Sequence, residues 1–432
     1  MKLAIVGAGW AGLAAAVLAT AQGHQVTVME SARTLGGRAR AMPASLPDGR
    51  ALLLDNGQHI LIGAYTETLA LMQQVGVDLG AALRRQPLAM QFPDGSGLAL
   101  PDWPAPLDAL AGMLLTRSWP LRERLGLLAA AVRWRLHGFV CAPDLSVAQL
   151  CARLGPQVRQ QLIEPLCVSA LNTPAERASA QVFLRVLQDA MFGVAGGSHL
   201  LLPQVDLGRL FPTQAAAWLQ DQGAQLQVGR RVQTLQPHDG QWQVDGQRFD
   251  AVLLAASSQE SARLAAQAAA QLPAPLQQPV LQWVRTVQSL QHEAIATVYA
   301  WQAHARLSQP MLALHSSAAA PAQFVFDRGQ LGGPAGLLAF VVSASEEDRE
   351  HTETRVLQQA RAQLALELQP VQTVVEKRAT FACTPQMSRP GVHLAPGLLA
   401  CGDYVDGPYP ATLEGAVRSA RHAVGHIGQA RR

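Results

Sequence analysis

Residues 3–12 read Leu3-Ala4-Ile5-Val6-Gly7-Ala8-Gly9-Trp10-Ala11-Gly12, and this stretch decides the fold. Its four aliphatic residues predict a buried parallel strand, and residues 13–21 after the glycines have the composition of a helix. Gly23 is typical of a helix C-cap, and residues 25–29 predict a second strand that ends at Glu30. A strand, a glycine turn, a helix and a strand in this order predict a βαβ unit that binds a dinucleotide.

Each residue of the turn has a physical role in this binding. Gly7 permits the sharp turn, Gly9 lets the backbone approach a pyrophosphate, and Gly12 allows the helix to pack closely on the strand. Ala11 lies at the start of the helix, where unpaired N–H groups and the helix dipole attract phosphate. Glu30 follows Gly12 by eighteen residues, a spacing at which a carboxylate accepts hydrogen bonds from a ribose diol.

The composition limits the class of protein. The chain has 432 residues, of which 49% are hydrophobic and only 15% charged, so we expect two or three folded domains and no fibrous or disordered protein. The net charge is +3 and acidic residues alternate with the arginines, so we expect no nucleic-acid partner. The hydrophobic residues form no run of about 20 that could span a membrane.

The N-terminus and the cysteines indicate where the chain works. Residues 2–21 resemble a signal peptide in composition, but the register of the glycines favours the βαβ unit, so we expect no signal peptide. Five scattered cysteines without a C-x-x-C pattern favour a reducing compartment over a disulfide framework. We therefore expect a cytoplasmic location.

Other stretches extend this site along the chain. Gly36-Gly37-Arg38 follows the ribose-binding acid and places a guanidinium and flexible backbone near the pyrophosphate. Residues 397–404 predict a strand that ends in Gly-Asp, and residues 409–419 predict the start of a helix. Residues 229–232 and 249–255 predict two more strands.

The Gly-Gly-Arg extension resembles the FAD-binding proteins of the amine oxidase and carotenoid desaturase superfamily. Further blocks, running nearly from end to end of the chain, resemble one family within it, the squalene-associated FAD-dependent enzymes called hydroxysqualene dehydroxylases. These blocks are residues 54–59, 164–167, 170–174, 178–184, 201–203, 206–208, 326–329, 332–334 and 376–385.

The resemblance implies which residues bind FAD. In the superfamily a segment matching residues 54–59 reaches the flavin ring, Asp403 binds the ribityl or pyrophosphate part, and Val232 contacts the adenine through its backbone. The helix after residue 409 points its N-terminus at the pyrimidine edge of the flavin, where it stabilises negative charge. The implied cofactor residues are Gly7, Gly9, Ala11, Gly12, Glu30, Gly37, Arg38, Gly57, Gln58, His59, Val232, Gly402, Asp403, Thr412, Leu413 and Glu414.

The resemblance also implies the architecture. We expect an α/β and α+β fold of the amine oxidase/phytoene desaturase type, with a Rossmann-like FAD-binding domain and an interleaved substrate domain of mixed sheet and helices. The FAD-binding domain is predicted to comprise residues 1–80, 205–265 and 390–432, and the substrate domain residues 81–204 and 266–389. Cys401 precedes the Gly-Asp pair at a position that a small apolar residue usually fills, so we predict non-covalent FAD.

The family implies a reductive dehydroxylation, in which reduced flavin removes the hydroxyl group of hydroxysqualene to give squalene and water during hopanoid biosynthesis. Such a reaction needs a proton donor near the substrate and the flavin. His59, Tyr404 and Asp327 are the candidates. Each has a structural alternative: His59 bonding the cofactor, Tyr404 packing on the ring, and Asp327 forming a buried ion pair with Arg328.

Two other functions remain open. A carotenoid- or phytoene-type polyene desaturase has the same fold and the opposite redox direction. A non-catalytic prenyl-lipid carrier resembling the GDP-dissociation inhibitors has the fold without flavin chemistry. Amine oxidation is disfavoured because residues 294–299, which match the strand that carries a lysine near the flavin in amine oxidases, contain no lysine. We expect no metal site, since His422 and His426 have no third ligand in sequence reach.

A membrane is a further predicted partner. Residues 118–136 predict an amphipathic helix with an apolar side, flanking arginines and tryptophans nearby, which is the pattern of an interfacial helix. An ordinary amphipathic helix that covers the substrate cavity is the alternative. We therefore expect a peripheral position on the inner membrane face. Enzymes that form presqualene or hydroxysqualene are expected to hand over the substrate, and an unidentified electron donor is expected to reduce the FAD.

Overall fold

The computed structural model describes residues 1–427, so residues 428–432 of the predicted C-terminal FAD segment lie outside the described residues. The strands are β1 (Lys2–Val6), β2 (Gln25–Glu30), β3 (Ala41–Ser45), β4 (Ala51–Asp55), β5 (Leu61–Ile62), β6 (Leu83–Gln86), β7 (Ala89–Gln91), β8 (Gly97–Ala99), β9 (Leu200–Pro203), β10 (Gln225–Val228), β11 (Leu235–His238), β12 (Gln241–Val244), β13 (Gln247–Phe249), β14 (Ala251–Leu254), β15 (His292–Trp301), β16 (Met311–Ala313), β17 (Phe324–Asp327), β18 (Leu337–Ser343), β19 (Gln369–Phe381), β20 (His393–Ala395) and β21 (Leu398–Ala400).

The helices are α1 (Trp10–Ala21), α2 (Thr66–Gln74), α3 (Leu79–Ala82), α4 (Leu107–Leu115), α5 (Leu121–Leu136), α6 (Val147–Leu150), α7 (Pro156–Val158), α8 (Glu164–Leu171), α9 (Ala180–Phe192), α10 (Leu207–Leu210), α11 (Pro212–Asp221), α12 (Ser258–Ala269), α13 (Ala274–Gln288), α14 (Arg349–Leu364) and α15 (Leu413–Ile427). A π-helical turn (Arg159–Ile163) joins α7 to α8, and a 3₁₀ turn (Arg328–Leu331) follows β17.

The main sheet has the order β10-β2-β1-β14-β21-β20, and all its pairings are parallel except that of β20 with β21. Its strands come from the N-terminal, middle and C-terminal parts of the chain. Helix α1 packs against α15 and α11, and its residues from Trp10 to Ala19 are all buried. The small residues Ala14, Ala15 and Ala16 permit this close packing on every side. The predicted Rossmann-like βαβ unit is therefore present.

Two predicted strands differ from the structure. Residues 229–232 form a loop, because β10 ends at Val228 and Gly229 takes a left-handed conformation with a φ of +70°. The N–H groups of Gly229 and Arg230 then donate to the carbonyls of Ala32 and Glu30, which holds the loop against the end of β2. Residues 249–255 are divided between two strands, since Phe249 ends β13 and β14 covers Ala251–Leu254.

A second, antiparallel sheet has the order β16-β17-β18-β15-β19. One of its faces packs on α14, where Val298, Phe340, Val356 and Ala360 form a separate buried cluster. The chain between β4 and β10 forms short strands and helices, and β7 from this part contacts β16 of the antiparallel sheet. The fold therefore combines a mainly parallel sheet with an antiparallel sheet and helices, in agreement with the expected fold class.

A buried ion pair joins the end of β4 to the 3₁₀ turn after β17. Asp55 ends β4, is 2% exposed, and lies 3.8 Å from the Arg328 guanidinium. Its carboxylate accepts the N–H of Leu207 (2.8 Å), and its carbonyl accepts the hydroxyl of Tyr299 (2.9 Å). Burial raises the pKa of Asp55 to about 6, although Arg328 opposes this shift.

The raised pKa of Asp55 predicts a pH dependence of stability. The folded chain holds the proton more tightly than the unfolded chain, so this contribution to stability is complete below the usual pKa and is lost as the pH rises through about 6. Replacing Asp55 by Asn removes the titration. The free energy of unfolding of the wild type, relative to Asp55→Asn, should therefore fall by about 2 kcal/mol between about pH 4.5 and 7 in urea titrations.

Asp48→Asn is the matched control. Hydrogen bonds from Arg50 lower the pKa of this exposed carboxyl, so its replacement cannot produce a slope of that sign. A constant difference between the wild type and Asp55→Asn across this pH range would contradict the assignment.

Candidate active site

The glycine turn after β1 builds the first half of the site. Gly7 has a φ of +110°, and its N–H donates to Met29 O (2.8 Å). A Cβ at position 12 would lie 1.9 Å from the Gly7 carbonyl oxygen, so only glycine fits where α1 meets the turn. Gly9 is the N-cap of α1, and neither a side-chain cap nor an acidic residue occupies the first turn. The first N–H groups of α1 are therefore free of side-chain partners and suited to a diphosphate.

The predicted ribose and adenine contacts lie next to this turn. Glu30 ends β2, and its carboxylate accepts the N–H groups of Ala8 and Ala32, each at 2.7 Å. Val232 lies in the loop after β10, with its side chain buried and its carbonyl accepting from Arg263 (2.7 Å). The structure therefore brings Glu30 and the glycine turn together and places Val232 in the loop that follows the neighbouring strand.

An ion pair connects the N-terminal and C-terminal halves of the site. Arg38 Nη2 lies 2.5 Å from Asp403 Oδ1, and Nη1 donates to Ala379 O (2.7 Å). The Asp403 carboxylate raises the pKa of the Arg38 guanidinium. Asn56 donates to Arg38 O (3.2 Å) and Glu376 (3.4 Å). Two stretches that lie 365 residues apart in the sequence thus meet at one point of the predicted pyrophosphate site.

The start of α15 forms the other end of the predicted cofactor site. Gly402, just before Asp403, donates its N–H to Ser419 (2.8 Å), which fixes the end of β21 against α15. The Thr412 hydroxyl accepts the N–H of Gly415 (2.9 Å), and Leu413 begins the helix. The fully buried Glu414 carboxylate, by contrast, accepts from Thr68 in α2 and from Arg418 (2.7 Å), so its side chain turns away from the predicted flavin edge.

Gly57, His59 and Thr297 converge at the predicted flavin ring. Gly57 has a φ of +109°, and a Cβ there would lie 3.8 Å from both His59 Cε1 and Thr297 Oγ1. The Thr297 hydroxyl is buried without a hydrogen-bond partner among the described residues. A buried donor without a partner is costly unless a ligand bonds it, so this point fits a polar edge of the cofactor. Gln58 turns the other way, its Oε1 accepting from Arg328 (3.4 Å).

His59 is a neutral residue in this setting. Its Nδ1 lies 2.8 Å from Gly57 O, and because a carbonyl only accepts, Nδ1 carries the proton. Burial lowers the pKa of His59, and the nearby Arg38 lowers it further. The side chain therefore offers an acceptor at Nε2, and it is a weak proton donor near neutral pH.

An apolar cavity has Ile60, the residue after His59, in its lining. Most of its lining is aliphatic or aromatic, contributed by β5, β7, α8, α9 and β17 through side chains such as Ile62, Met90, Leu166, Leu187 and Phe324. It reaches the start of α15, because Thr412 and Tyr409 also line it. The cavity thus ends at the predicted flavin edge.

Four polar side chains stand at that end: Tyr65, Asp189, Tyr409 and Thr412. The centre of the Tyr409 ring lies 4.7 Å from the guanidinium of Arg418 and 5.8 Å from that of Arg185. Burial and the neighbouring Asp189 raise the pKa of Tyr409, while Arg418 and Arg185 oppose the shift. Burial also raises the pKa of Tyr65, whose hydroxyl bonds Thr412.

Sequence reasoning missed Tyr65 and Tyr409 as functional residues. The chain has only four tyrosines, and two of them line this one cavity. Their scarcity is a signal in the sequence, but it does not show which of the four face a ligand.

Two of the predicted proton donors lie elsewhere. Asp327 is 1% exposed and caps the 3₁₀ turn, and its oxygens accept from Leu307 (3.0 Å) and Gln330 (2.8 Å). These bonds hold the Asp327 side chain in the turn, and it is not among the residues that line the cavity. Its alternative, an ion pair with Arg328, is wrong, because Arg328 pairs with Asp55. Tyr404 does not line the cavity; it packs on Trp283 (ring centroids 6.4 Å apart), and burial raises its pKa.

Cys401 is fully buried, and its sulfur contacts Ala11 O (3.9 Å). Burial raises the pKa of its thiol to about 12, which disfavours the reactive thiolate. This supports the prediction of non-covalent FAD.

These features define a dinucleotide-binding protein with an apolar cavity next to its cofactor site. The chain belongs to the flavin-containing amine oxidoreductase family, whose family model matches residues 10–428. It is an FAD-dependent oxidoreductase, so the carrier alternative is not retained. The glycine turn, the uncapped start of α1, and the buried Thr297 hydroxyl all fit the FAD that this family implies.

Hydroxysqualene dehydroxylases and a phytoene desaturase are similar to the chain in sequence. The chain is 26% identical to a hydroxysqualene dehydroxylase from Rhodopseudomonas palustris, over 97% of this chain and 96% of the relative. A second hydroxysqualene dehydroxylase, from Zymomonas mobilis, is 25% identical over 97% of each chain. A 15-cis-phytoene desaturase from Synechococcus elongatus is 31% identical, but over only 31% of this chain and 29% of the relative. The resemblance expected from the sequence blocks is confirmed.

Solved structures confirm the fold. An oxidoreductase from Methanosarcina mazei superimposes with a TM-score of 0.73 at 15% identity, covering 98% of this chain and all of its own. A cyclohexylamine oxidase from Brevibacterium oxydans gives a TM-score of 0.68 at 16% identity, over 99% of this chain and 98% of that chain.

The close contact at Gly12 predicts a loss of cofactor. In Gly12→Ala the new Cβ would overlap the Gly7 carbonyl, so α1 must move away from the turn that it shares with the phosphates. We expect FAD affinity to fall at least tenfold, about 1.4 kcal/mol, measured by flavin fluorescence titration of the apoprotein.

Gly126→Ala in α5 is the matched control, because a Cβ there meets nothing within 4 Å. This variant should bind FAD normally and gain about 0.5–1 kcal/mol in free energy of unfolding, since glycine weakens a helix interior. Equal FAD affinity in the two variants would refute the assigned role of Gly12.

Proposed function

We propose that this flavoenzyme carries out the reductive dehydroxylation of hydroxysqualene to squalene and water, within squalene and hopanoid biosynthesis. One observation carries the proposal: an apolar cavity is lined by Tyr65 and Tyr409 together with Thr412, a residue of the predicted flavin edge. The full-length similarity to two hydroxysqualene dehydroxylases supports the same reaction. The similarity to the phytoene desaturase covers a third of the chain and gives weaker support to a desaturase.

The lining of the cavity suits such a substrate. A hydrocarbon of about 30 carbons gains on the order of 20 kcal/mol when it leaves water, at about 0.8 kcal/mol for each CH₂ group. Aliphatic side chains from several elements provide this apolar surface. Because the hydroxyl is the one polar group of the substrate, the polar end of the cavity is the place where it finds hydrogen-bond partners.

The reaction balances with the reduced cofactor. When bound in its reduced form, FAD would supply a hydride and become oxidised. The C–O bond of the substrate breaks, a C–H bond forms at the same carbon, and the hydroxyl leaves with a proton as water. An external two-electron donor then reduces the cofactor again.

Tyr409 is the proposed proton donor to the leaving hydroxyl. Its ring lies near the guanidinium groups of Arg418 and Arg185, which favour the tyrosinate left after proton transfer, although burial and Asp189 raise its pKa. Tyr65 is the weaker candidate, because burial and Glu414 disfavour its ionised form and the hydrogen bond with Thr412 opposes them only in part. His59 and Thr297 hold the cofactor edge in this proposal, and the aliphatic lining excludes water from the reacting carbon.

The division into domains belongs to the same proposal. The three FAD-binding segments (residues 1–80, 205–265 and 390–432) supply the parallel sheet and the two halves of the cofactor site. The remaining segments (residues 81–204 and 266–389) supply most of the cavity. The cavity is then closed by the interface of the two proposed domains, where Tyr409 and Thr412 face α9.

The proposal is tested by the product. Full-length enzyme with FAD, kept reduced by dithionite, should convert hydroxysqualene to squalene, identified by mass spectrometry of the hexane extract. A desaturase would leave hydroxysqualene unchanged and would instead dehydrogenate phytoene when its FAD is oxidised. That outcome would overturn the proposed reaction, but the chain would still be an FAD-dependent oxidoreductase.

Tyr409→Phe tests the proton donor. Because general acid catalysis typically contributes about 10²–10⁴ in rate, kcat should fall by at least about 100-fold while FAD binding stays normal. Tyr404→Phe is the control with the same chemical change at a tyrosine that does not line the cavity, and its kcat should stay within about threefold. A large loss in Tyr404→Phe and none in Tyr409→Phe would reverse the assignment.

A further inference from the structure

We propose that the surface formed by α4 and α5 docks on a bilayer that contains anionic phospholipid and connects that bilayer to the cavity. This inference deepens the proposed function, because it assigns the source from which an apolar substrate enters. The inference depends on the proposed function only for the identity of the substrate. We call this surface the docking face and define it as the exposed side chains of residues 103–140.

Exposed apolar side chains are concentrated on the docking face. Among residues 1–427, fourteen large hydrophobic residues are exposed, and ten of them lie between Trp103 and Val140. Their exposure ranges from 40% to 80%. These ten are Trp103, Leu107, Leu110, Leu114, Leu115, Leu121, Leu125, Val132, Leu136 and Val140. So dense an apolar surface on a folded chain marks a site of interaction.

Helical periodicity places these residues on one side of each helix. In α5, Leu121, Leu125, Val132 and Leu136 recur at the spacing of one face, as the sequence predicts, while Leu127 and Trp134 are buried on the other. Helix α4, which sequence reasoning did not single out, has its own exposed leucines opposite the buried Ala109 and Met113. Arg124 Nη1 donates to Leu114 O (2.6 Å), so the two helices adjoin.

The charges on the docking face complement an anionic surface. Arg117, Arg122, Arg133 and Arg135 are exposed beside the leucines. The acids of both helices turn inward. Glu123, the one acid in α5, is buried and accepts the N–H groups of Gln157 (3.0 Å) and Val158 (3.2 Å). In α4, Asp108 is buried. Exposed arginines beside leucine and tryptophan are the pattern of a helix that lies in a membrane interface.

Both helices contact the elements that form the cavity. In α4, Asp108 accepts the hydroxyl of Ser198 (3.3 Å), and Ser198 lines the cavity. In α5, the Arg135 guanidinium lies 5.0 Å from the ring of Phe192, the last residue of α9. Helix α9 lines the cavity through residues such as Leu187 and Met191. Helix α4 therefore contacts a residue of the cavity wall, and α5 contacts the end of a helix that lines the cavity.

The docking face suits contact with the interface rather than insertion across the bilayer. None of the helices in the described part of the chain is long and apolar enough to cross a membrane. An apolar substrate that stays in lipid can then pass between two apolar environments, and the large cost of exposure to water is avoided.

Vesicle cosedimentation tests the docking face with full-length, FAD-loaded enzyme and no substrate. Sucrose-loaded vesicles of phosphatidylcholine with roughly 30 mol% phosphatidylglycerol should bind the wild type at least tenfold more tightly than pure phosphatidylcholine vesicles. Raising the salt from about 0.05 M to about 0.5 M should reduce the binding, because the arginine contribution is screened.

Two variants and two controls locate the contact. Leu121→Ser/Leu125→Ser and Arg122→Glu/Arg133→Glu should each lower the partition coefficient at least tenfold, with unchanged FAD content and melting temperature. The controls Leu53→Ser and Arg285→Glu change an exposed leucine and an exposed arginine outside the docking face, and they should bind like the wild type.

The outcome separates this inference from the proposed reaction. If the variants are slow with hydroxysqualene in vesicles and normal with hydroxysqualene in detergent micelles, docking delivers the substrate. Equal vesicle binding by wild type and variants would overturn the inference, whatever the product assay gives. A wild-type dimer that both variants dissociate, without vesicle binding, would also overturn it, because the face would then bind a second copy of the chain.

Discussion

The contact between α1 and the glycine turn is the constraint on which the site depends. A Cβ at position 12 would come within 1.9 Å of the Gly7 carbonyl, so the helix can approach β1 only because glycine stands there. That approach directs the free N–H groups of the helix at the predicted diphosphate. The Arg38–Asp403 pair, at 2.5 Å, then holds the C-terminal half of the site against the N-terminal half. Asp403 also accepts the N–H of Ala411, just before α15, through its carbonyl. The Arg38–Asp403 pair is thereby linked to Thr412, which lines the cavity.

The cofactor site, the cavity and helices α4 and α5 differ in polarity. The predicted cofactor site is polar, the cavity beside it is mostly aliphatic, and α4 and α5, which carry the exposed leucines, contact elements that form the cavity. Such an arrangement suits a long hydrocarbon with a single reactive polar group. In the proposed function the hydroxyl meets Tyr409 at the polar end, and the hydrocarbon chain fills the apolar part.

Local patterns in the sequence predicted what depends on local geometry. The βαβ unit and the turn at Gly402-Asp403 after β21 follow from spacing and turn chemistry. The strand predicted at residues 229–232 was wrong, because the left-handed Gly229 turns the chain. Tyr65 and Tyr409 could not be found, because 344 residues separate them and only the tertiary packing brings both to one cavity. The FAD contacts assigned residue by residue and the domain boundaries stay predictions.

A single anaerobic turnover tests the central claim, that the cavity presents a hydroxylated hydrocarbon to reduced flavin. The enzyme is reduced by one equivalent of dithionite, mixed with one equivalent of hydroxysqualene, and followed by the absorbance of oxidised flavin. We predict that one flavin is oxidised for each squalene formed. Flavin that stays reduced, or squalene that forms without flavin oxidation, would contradict the account.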